Sequence, residues 1–255
     1  MPFFSIITVV KNNISTIERT IKSVLEQNFS NFEYIIVDGN SDDGTKELIQ
    51  RYSLISDKIV FLSENDNGLF FAMNKGISLS KGNYISLLNS DDYYFSQNVL
   101  NDYFQLIRSR SISTLSVVYS GMKISFKNNL VKDLPPDLKY LEKNMRMNHP
   151  TWFVGKDVYL KIGNFNTQYR IASDYEFALR SYVNNIEFVE LKNSFPVVFS
   201  IGGNSTISLK SVKESFEIRK KYNLIGTLKN YYFLLLELFD LFKAKLKSKI
   251  FGSLF

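Results

Sequence analysis

Acidic residues gather at three places in the first hundred positions: Asp38 in VDGNSDDGT, Glu64 and Asp66 in SENDNG, and Asp91-Asp92 in LLNSDD. Each follows a short run rich in Ile, Val, Phe or Tyr. Carboxylates converging on one crevice repel one another unless a cation or a hydrogen-bonded ligand offsets them. Mg²⁺ or Mn²⁺ bridging a diphosphate would do so, taking one or two carboxylates plus phosphate oxygens. Turn chemistry is the bland account of the same residues, because Asp, Asn, Ser and Gly all favour the turns that follow strands. A fourth candidate, Asp174 in YRIASDYEFALR, stands where a loop enters a helical pattern. It fits a helix cap that accepts free backbone N–H groups, or a general base. Ser173 is available to cap in its place, and Glu176, two residues on, would face away from it.

Composition narrows the chemistry further. There is no cysteine, so thiolate nucleophiles, disulfides and Cys-built metal sites are excluded, and a single His argues almost as strongly against a His-built metal site. Any metal must be hard and held by oxygen. Hydrophobic residues make up 45% and aromatics 15%, enough for a sizeable core. The net charge of +6 suits an anionic ligand or surface, but the excess is too small to favour nucleic acid. No G-x-G-x-x-G or P-loop pattern follows the first apolar run, where VVKNNIST stands instead. The Gly-rich, Arg-containing loop of a sugar-nucleotide pyrophosphorylase is absent as well. The N-terminus lacks a basic leader region, and the longest apolar tract, residues 231–242, is interrupted by Glu237 and Asp240. The expectation is a cytoplasmic protein, free or held peripherally at the inner face of the cell membrane.

The elements that must position these residues alternate. Residues 3–10, 32–38, 58–64 and 84–89 read as strands buried on both faces. Ile14, Ile17, Ile21, Val24 and Leu25 form a helical stripe between the first two, and residues 44–52 and 69–79 are helix-compatible. Strand–helix alternation of this kind predicts a mostly parallel sheet with right-handed crossovers. In such sheets ligands sit at the carboxyl ends of the strands, where the acidic clusters lie. Beyond Asp92 a helix is expected over 97–107 and a strand over 115–120. Asp133-Leu134-Pro135-Pro136 reads as a loop, and an α+β segment over 151–203 as holding a helix around 175–182.

Four segments in order, FSIITVVKNN, VDGNSDDGT, NDNGLFFAMNKGI and GNYISLLNSDD, resemble the nucleotide-sugar half of family 2 glycosyltransferases, especially bacterial polysaccharide enzymes of colanic-acid type. The resemblance implies a GT-A α/β fold with a mostly parallel central sheet flanked by helices. It also implies inverting, metal-dependent sugar transfer from a nucleotide sugar. UDP is favoured because most of the resembling enzymes use it. By position, Thr8 would contact the nucleobase and Asp38 the uracil ring. Asp66 and Lys75 would lie beside the donor. Asn89, Ser90 and Asp91 occupy the D-x-D element, with Asp91 and Asp92 left to ligate Mn²⁺ or Mg²⁺. Asp174 matches the catalytic base, and His149 and Trp152 would line the acceptor side. The chain departs from the pattern at Asn89, where Asp is usual, and at Phe71, where relatives often carry Asp. A nucleotide-sugar-binding protein that has lost catalysis is therefore the alternative.

Three parts are expected: a donor half (1–100), an acceptor and base half (101–215) and a C-terminal helical segment (216–255). In residues 226–255, Lys229, Lys243, Lys245, Lys247 and Lys249 stand against Glu237 and Asp240. Such an amphipathic tail fits an anionic membrane surface, matching a lipid-linked saccharide acceptor, or a terminal helix packed on the body. Gly202-Gly203-Asn204-Ser205 reads as a turn or a loop closing over the donor.

Overall fold

The computed structural model describes residues 1–125, 131–200 and 208–251. Its first part follows the apolar pattern. β1 (Phe4–Val10), β2 (Phe32–Asp38), β3 (Ile59–Ser63) and β4 (Tyr84–Leu87) are linked by α1 (Ile14–Leu25), α2 (Thr45–Ile55) and α3 (Leu69–Leu79). All the pairings within this group are parallel. Val10 stands opposite Asp38 and Asp38 opposite Ser63, so β1, β2 and β3 end level. That register gathers the loops after them at one edge.

The chain continues through β5 (Tyr93–Tyr94), α4 (Val99–Ser109), β6 (Ser116–Tyr119), β7 (Met122–Ser125) and β8 (Val131–Leu134). It then forms β9 (Phe153–Gly155), α5 (Lys156–Ile162), α6 (Ser173–Val183), β10 (Glu187–Glu190), β11 (Val197–Ser200), α7 (Leu209–Tyr222) and α8 (Thr227–Phe251). The main sheet has seven strands in the order β10-β6-β9-β4-β1-β2-β3. A second sheet, β5-β11-β7-β8, has four. Most expected elements shift by only one or two residues, as ends do. Asp133 and Leu134 differ: they end β8, pairing with Lys123 and Met122, and the prolines stop that exposed edge strand. Nothing in the sequence marks β9, which is only three residues long. It lies antiparallel between β4 and β6 and joins residues of the expected donor and acceptor halves in one sheet.

Alternate residues of the central strands serve opposite faces. Ile7, Val9, Ile35 and Val37 pack with Phe70, Met73 and Ile77 of α3 and with Phe177 of α6. Phe4, Ile6, Tyr34 and Ile36 pack with Ile17, Ile21 and Val24 of α1 and with Tyr103 of α4. Each such side chain contributes about 1.5–3 kcal/mol when removed from water.

The C-terminal helices dock through a polar core. Arg219 of α7 is buried and grips Glu237 of α8 with two hydrogen bonds, 2.9 and 2.7 Å long, while its Nε donates to Asn230 at 2.9 Å. Glu237, which interrupts the apolar tract in sequence, is therefore an anchor. The opposite side of α8 leaves Leu228, Tyr231, Tyr232, Leu235, Phe239 and Phe242 exposed. No helix among the described residues is long and apolar enough to cross a membrane. Residues 202–205 and the side chains of Lys245, Lys247 and Lys249 lie outside the described residues.

Candidate active site

The level strand ends open into a cleft of about 1410 Å³. It exceeds the roughly 300–1,000 Å³ of an ordinary small-molecule pocket, leaving room for two substrates. Residues 9–13, 66–73 and 89–91 line it from the first half of the chain, and 145–150, 169–171 and Asp174 from the second. Asp66, Asn89, Ser90, Asp91, His149 and Asp174 are thus brought together, with Phe71 beside them.

The Asn-Ser-Asp turn is clamped from α1. Thr16 and Thr20 donate to the Ser90 carbonyl at 2.8 and 3.0 Å, and Arg19 donates to the Asp91 carbonyl at 2.9 Å. These three residues share one helix face, at spacings of three and four. Asn13 adds a 2.9 Å bond to the Ser90 hydroxyl. Arg19 also lies 4.3 Å from the centre of the Tyr93 ring. The Asp91 carboxylate itself accepts no side-chain hydrogen bond among the described residues, and burial raises its pKa.

Asp92 departs from the expectation of a metal ligand. It is fully buried beneath the turn and does not line the cleft. Its carboxylate accepts the Ser200 N–H at 3.1 Å and the Asn89 amide at 3.0 Å, tying β11 to the turn. Burial, with the Asp91 charge beside it, pushes its pKa up to about 8.

Three other positions are also drawn away from the cleft. Thr8 lies two residues below the end of β1, about 6–7 Å from the mouth at strand rise. It is buried and accepts a 3.0 Å bond from Tyr34. Asp38 ends β2, yet its carboxylate turns inward to Ser41 and to the Ser63 hydroxyl at 2.7 Å. These bonds are of the kind that turn chemistry after a strand supplies. Lys75 pairs with Glu64 at 2.6 Å, off the cleft.

The neighbours of Lys75 explain the Asn-Lys-Gly segment through packing. A Cβ on Gly76 would meet the Ile7 side chain at 2.5 Å, so glycine lets α3 lie this close to β1 without displacing it. Asn74 exchanges two bonds with the Phe165 backbone, at 2.9 and 3.0 Å, and so holds the loop between α5 and α6.

Asp174 occupies the first turn of α6, with Ala172 preceding the helix. Its carboxylate accepts the Tyr175 N–H at 2.8 Å. Burial, aided by the charge of Glu214, raises its pKa to about 6. Ser173 does not cap the helix; its hydroxyl donates to the Asn166 carbonyl at 2.8 Å. Glu176 faces away, bound to Arg180, Lys221 and Tyr222.

His149 lines the cleft with its Nε2 unpartnered among the described residues. Its ring meets Trp152 and Phe165 edge-on, at 5.0 and 5.6 Å. Burial drops its pKa to about 4, so it stands neutral at pH 7. Trp152 is 2% exposed and belongs to the core, so it offers no face to a sugar there.

Among the described residues no group of three or more His, Asp or Glu stands together as a metal site. The donors that remain, Asp91 and the Asn89 carbonyl oxygen, fit Mg²⁺ or Mn²⁺ only as a partial set. Phosphate and water oxygens would complete it, which is the usual manner of Mg²⁺ on a nucleotide.

The glycosyl transferase family 2 model matches residues 5–160, and the chain belongs to that family. TuaG of Bacillus subtilis strain 168, described as a teichuronic acid biosynthesis glycosyltransferase, is 37% identical over 123 residues, 48% of each chain. A PGL/p-HBAD biosynthesis glycosyltransferase of Mycobacterium tuberculosis H37Rv is 27% identical over 184 residues, 72% of this chain and 71% of its own. Among solved structures, Staphylococcus aureus TarS 1-349 in complex with UDP-GlcNAc superposes with a TM-score of 0.69 at 19% identity, over 91% of this chain and 69% of that one. This chain spans 42% of the longer TarS chain. The mannosyltransferase PcManGT of Pyrobaculum calidifontis, in complex with GDP-Man and Mn²⁺, gives 0.67 at 14% identity, over 99% of this chain and 76% of its own. The molecule is a glycosyltransferase with the GT-A fold.

Proposed function

We propose that the protein transfers a sugar, with inversion, from a UDP-linked donor to a lipid-linked saccharide in surface polysaccharide synthesis. One observation carries the mechanism: Asp174, with its pKa raised to about 6, faces the same cleft as the Asp91 carboxylate, which no side chain among the described residues hydrogen-bonds. In this reading the acceptor hydroxyl gives its proton to Asp174 while its oxygen attacks the anomeric carbon. The bond from that carbon to the diphosphate breaks on the opposite face, releasing the nucleoside diphosphate, and Asp174 passes the proton to water. Asp91 and Asn89 would hold Mn²⁺ or Mg²⁺, which offsets the charge developing on the leaving diphosphate. Neutral His149 presents Nε2 to an acceptor hydroxyl, while Asp66 and Phe71 border the donor. UDP is favoured because TarS was solved with UDP-GlcNAc and with UDP, and the polysaccharide setting because TuaG is described as a teichuronic acid biosynthesis glycosyltransferase.

The apolar stripe of α8 supports a membrane-side acceptor. Leu228, Tyr231, Leu235, Phe239 and Phe242 recur at helical spacing, with Lys229 and Lys243 on the same helix. The full chain should co-sediment with vesicles containing phosphatidylglycerol but not with phosphatidylcholine alone. Failure to do so would remove the membrane from the reading.

Thermal shift with a panel of UDP-, GDP- and dTDP-sugars in Mn²⁺ tests the donor. One UDP-sugar should raise Tm and be slowly hydrolysed, and EDTA should abolish both effects. Binding without turnover under any divalent metal would instead make this a donor-binding protein.

A further inference from the structure

The loop between α5 and α6 carries Thr167, Tyr169, Arg170 and Ile171 into the cleft and ends at the helix bearing Asp174. Within it a turn forms at Asn166, which accepts the Tyr169 N–H at 3.2 Å on its carbonyl and the Gln168 N–H at 3.0 Å on its side chain, and the two ends are held from outside. Its beginning is held by Asn74, through the two bonds to Phe165. Its end is held from α7. There Glu214, only 7% exposed, accepts the N–H groups of Arg170, Ile171 and Ala172 at 3.0, 2.9 and 2.9 Å. Three backbone donors converging on one buried carboxylate form a charge-assisted cradle, stronger than neutral bonds of the same number. Ala172 is the residue from which α6 starts, two positions before Asp174.

The helix that carries Glu214 is itself braced on both sides. Lys221 and Tyr222 of α7 bind Glu176 of α6 at 3.1 and 2.7 Å, and Arg219 binds Glu237 of α8. The cradle is therefore mounted on a fixed support. A carboxylate so placed sets where the first turn of α6 begins and hence where the Asp174 side chain stands. Reaction rates respond steeply to such placement: a shift of about 1 Å costs about 10²-fold.

We propose that Glu214 is a positioning residue, which locks the acceptor-side loop through three backbone bonds and thereby fixes Asp174 toward the acceptor. This rests on the reading of Asp174 as the base. Amide hydrogen exchange in the full, ligand-free chain tests the lock without any substrate. Glu214→Ala should speed exchange at Arg170, Ile171 and Ala172 by about tenfold or more, while Ala178 and Leu179 in α6 stay within about twofold. Glu214→Gln, whose remaining oxygen can keep up to two of the three bonds, should fall between. Equal acceleration at all these amides, or none at Arg170, Ile171 and Ala172, would overturn the lock.

Kinetics test its consequence, with Mn²⁺-dependent hydrolysis of UDP-N-acetylglucosamine as the probe. Glu214→Ala should lower kcat by about 10²-fold and leave the Kd for UDP within about twofold, and Glu214→Gln should recover most of the rate. Loss of UDP affinity in step with kcat, or an unchanged kcat, would overturn the positioning role. Asp174→Asn measured in parallel separates the two claims. Unchanged hydrolysis in that variant would sink the base reading, whereas the exchange pattern would still decide the lock.

Discussion

The strand ends beneath the cleft and the wall formed by the start of α6 both carry acidic residues, with opposite fates. Beneath the cleft, Asp38 and Asp92 are buried and their oxygens are taken by Ser41, Ser63, Ser200 and Asn89. They shape the turns that follow β2 and β4. At the start of α6, Asp174 lines the cleft with a single neighbouring N–H as partner among the described residues, and the support is supplied from behind by Glu214. A carboxylate whose lone pairs are filled by the protein holds structure; one left partly open can do chemistry. Asp91 belongs with Asp174 in this division, although it neighbours Asp92 in sequence.

That contrast can be broken most sharply at Asp174. Replacing it with Asn should lower transfer to the acceptor by about 10²–10⁴-fold, the usual range for a lost general base, with donor affinity unchanged. The neighbouring pair comes next. Asp91→Ala should abolish the gain in UDP affinity that Mn²⁺ confers and leave Tm nearly unaltered. Asp92→Ala should do the reverse: it strands the Ser200 N–H and the Asn89 amide, costing about 1–3 kcal/mol of stability, while the metal-dependent gain survives in the folded fraction. Calorimetry and UDP titration with and without EDTA read both variants. The smallest effect is expected at Lys75, whose exposed pair with Glu64 is worth about 1 kcal/mol or less. Lys75→Ala should leave the Kd for UDP within about twofold, and a larger loss would return this lysine to the donor site.

Much of the scaffold is legible in the chain because strands buried on both faces read as continuous apolar runs, and their crossover helices as stripes. The strand-end rule points to the edge of the sheet at which the cleft opens. β9 escapes because three residues carry no periodicity. The split between Asp91 and Asp92 escapes for a different reason. Which of two adjacent carboxylates turns inward is decided by Ser200, 108 residues away in sequence from Asp92. Thr8 shows the limit of position alone, since two residues of strand separate a core hydroxyl from the cleft. Thr16, Arg19 and Thr20 lie outside the apolar stripe of α1, so the packing pattern gives no sign of them. Glu214 gives no local signal at all, as it lies in an ordinary helix 42 residues beyond Ala172. Distant partners, rather than motifs, decide which acidic groups remain available.

The pH dependence of kcat/KM for transfer tests the central claim most directly. Asp174 acts only when deprotonated, and its pKa in the folded chain is raised to about 6. The rate should be level near pH 7.5 and fall about tenfold for each unit below pH 6, and Asp174→Asn should lose this limb along with most of the rate. The same limb persisting in the Asn variant, or a wild-type rate that stays level down to pH 4.5, would contradict the account.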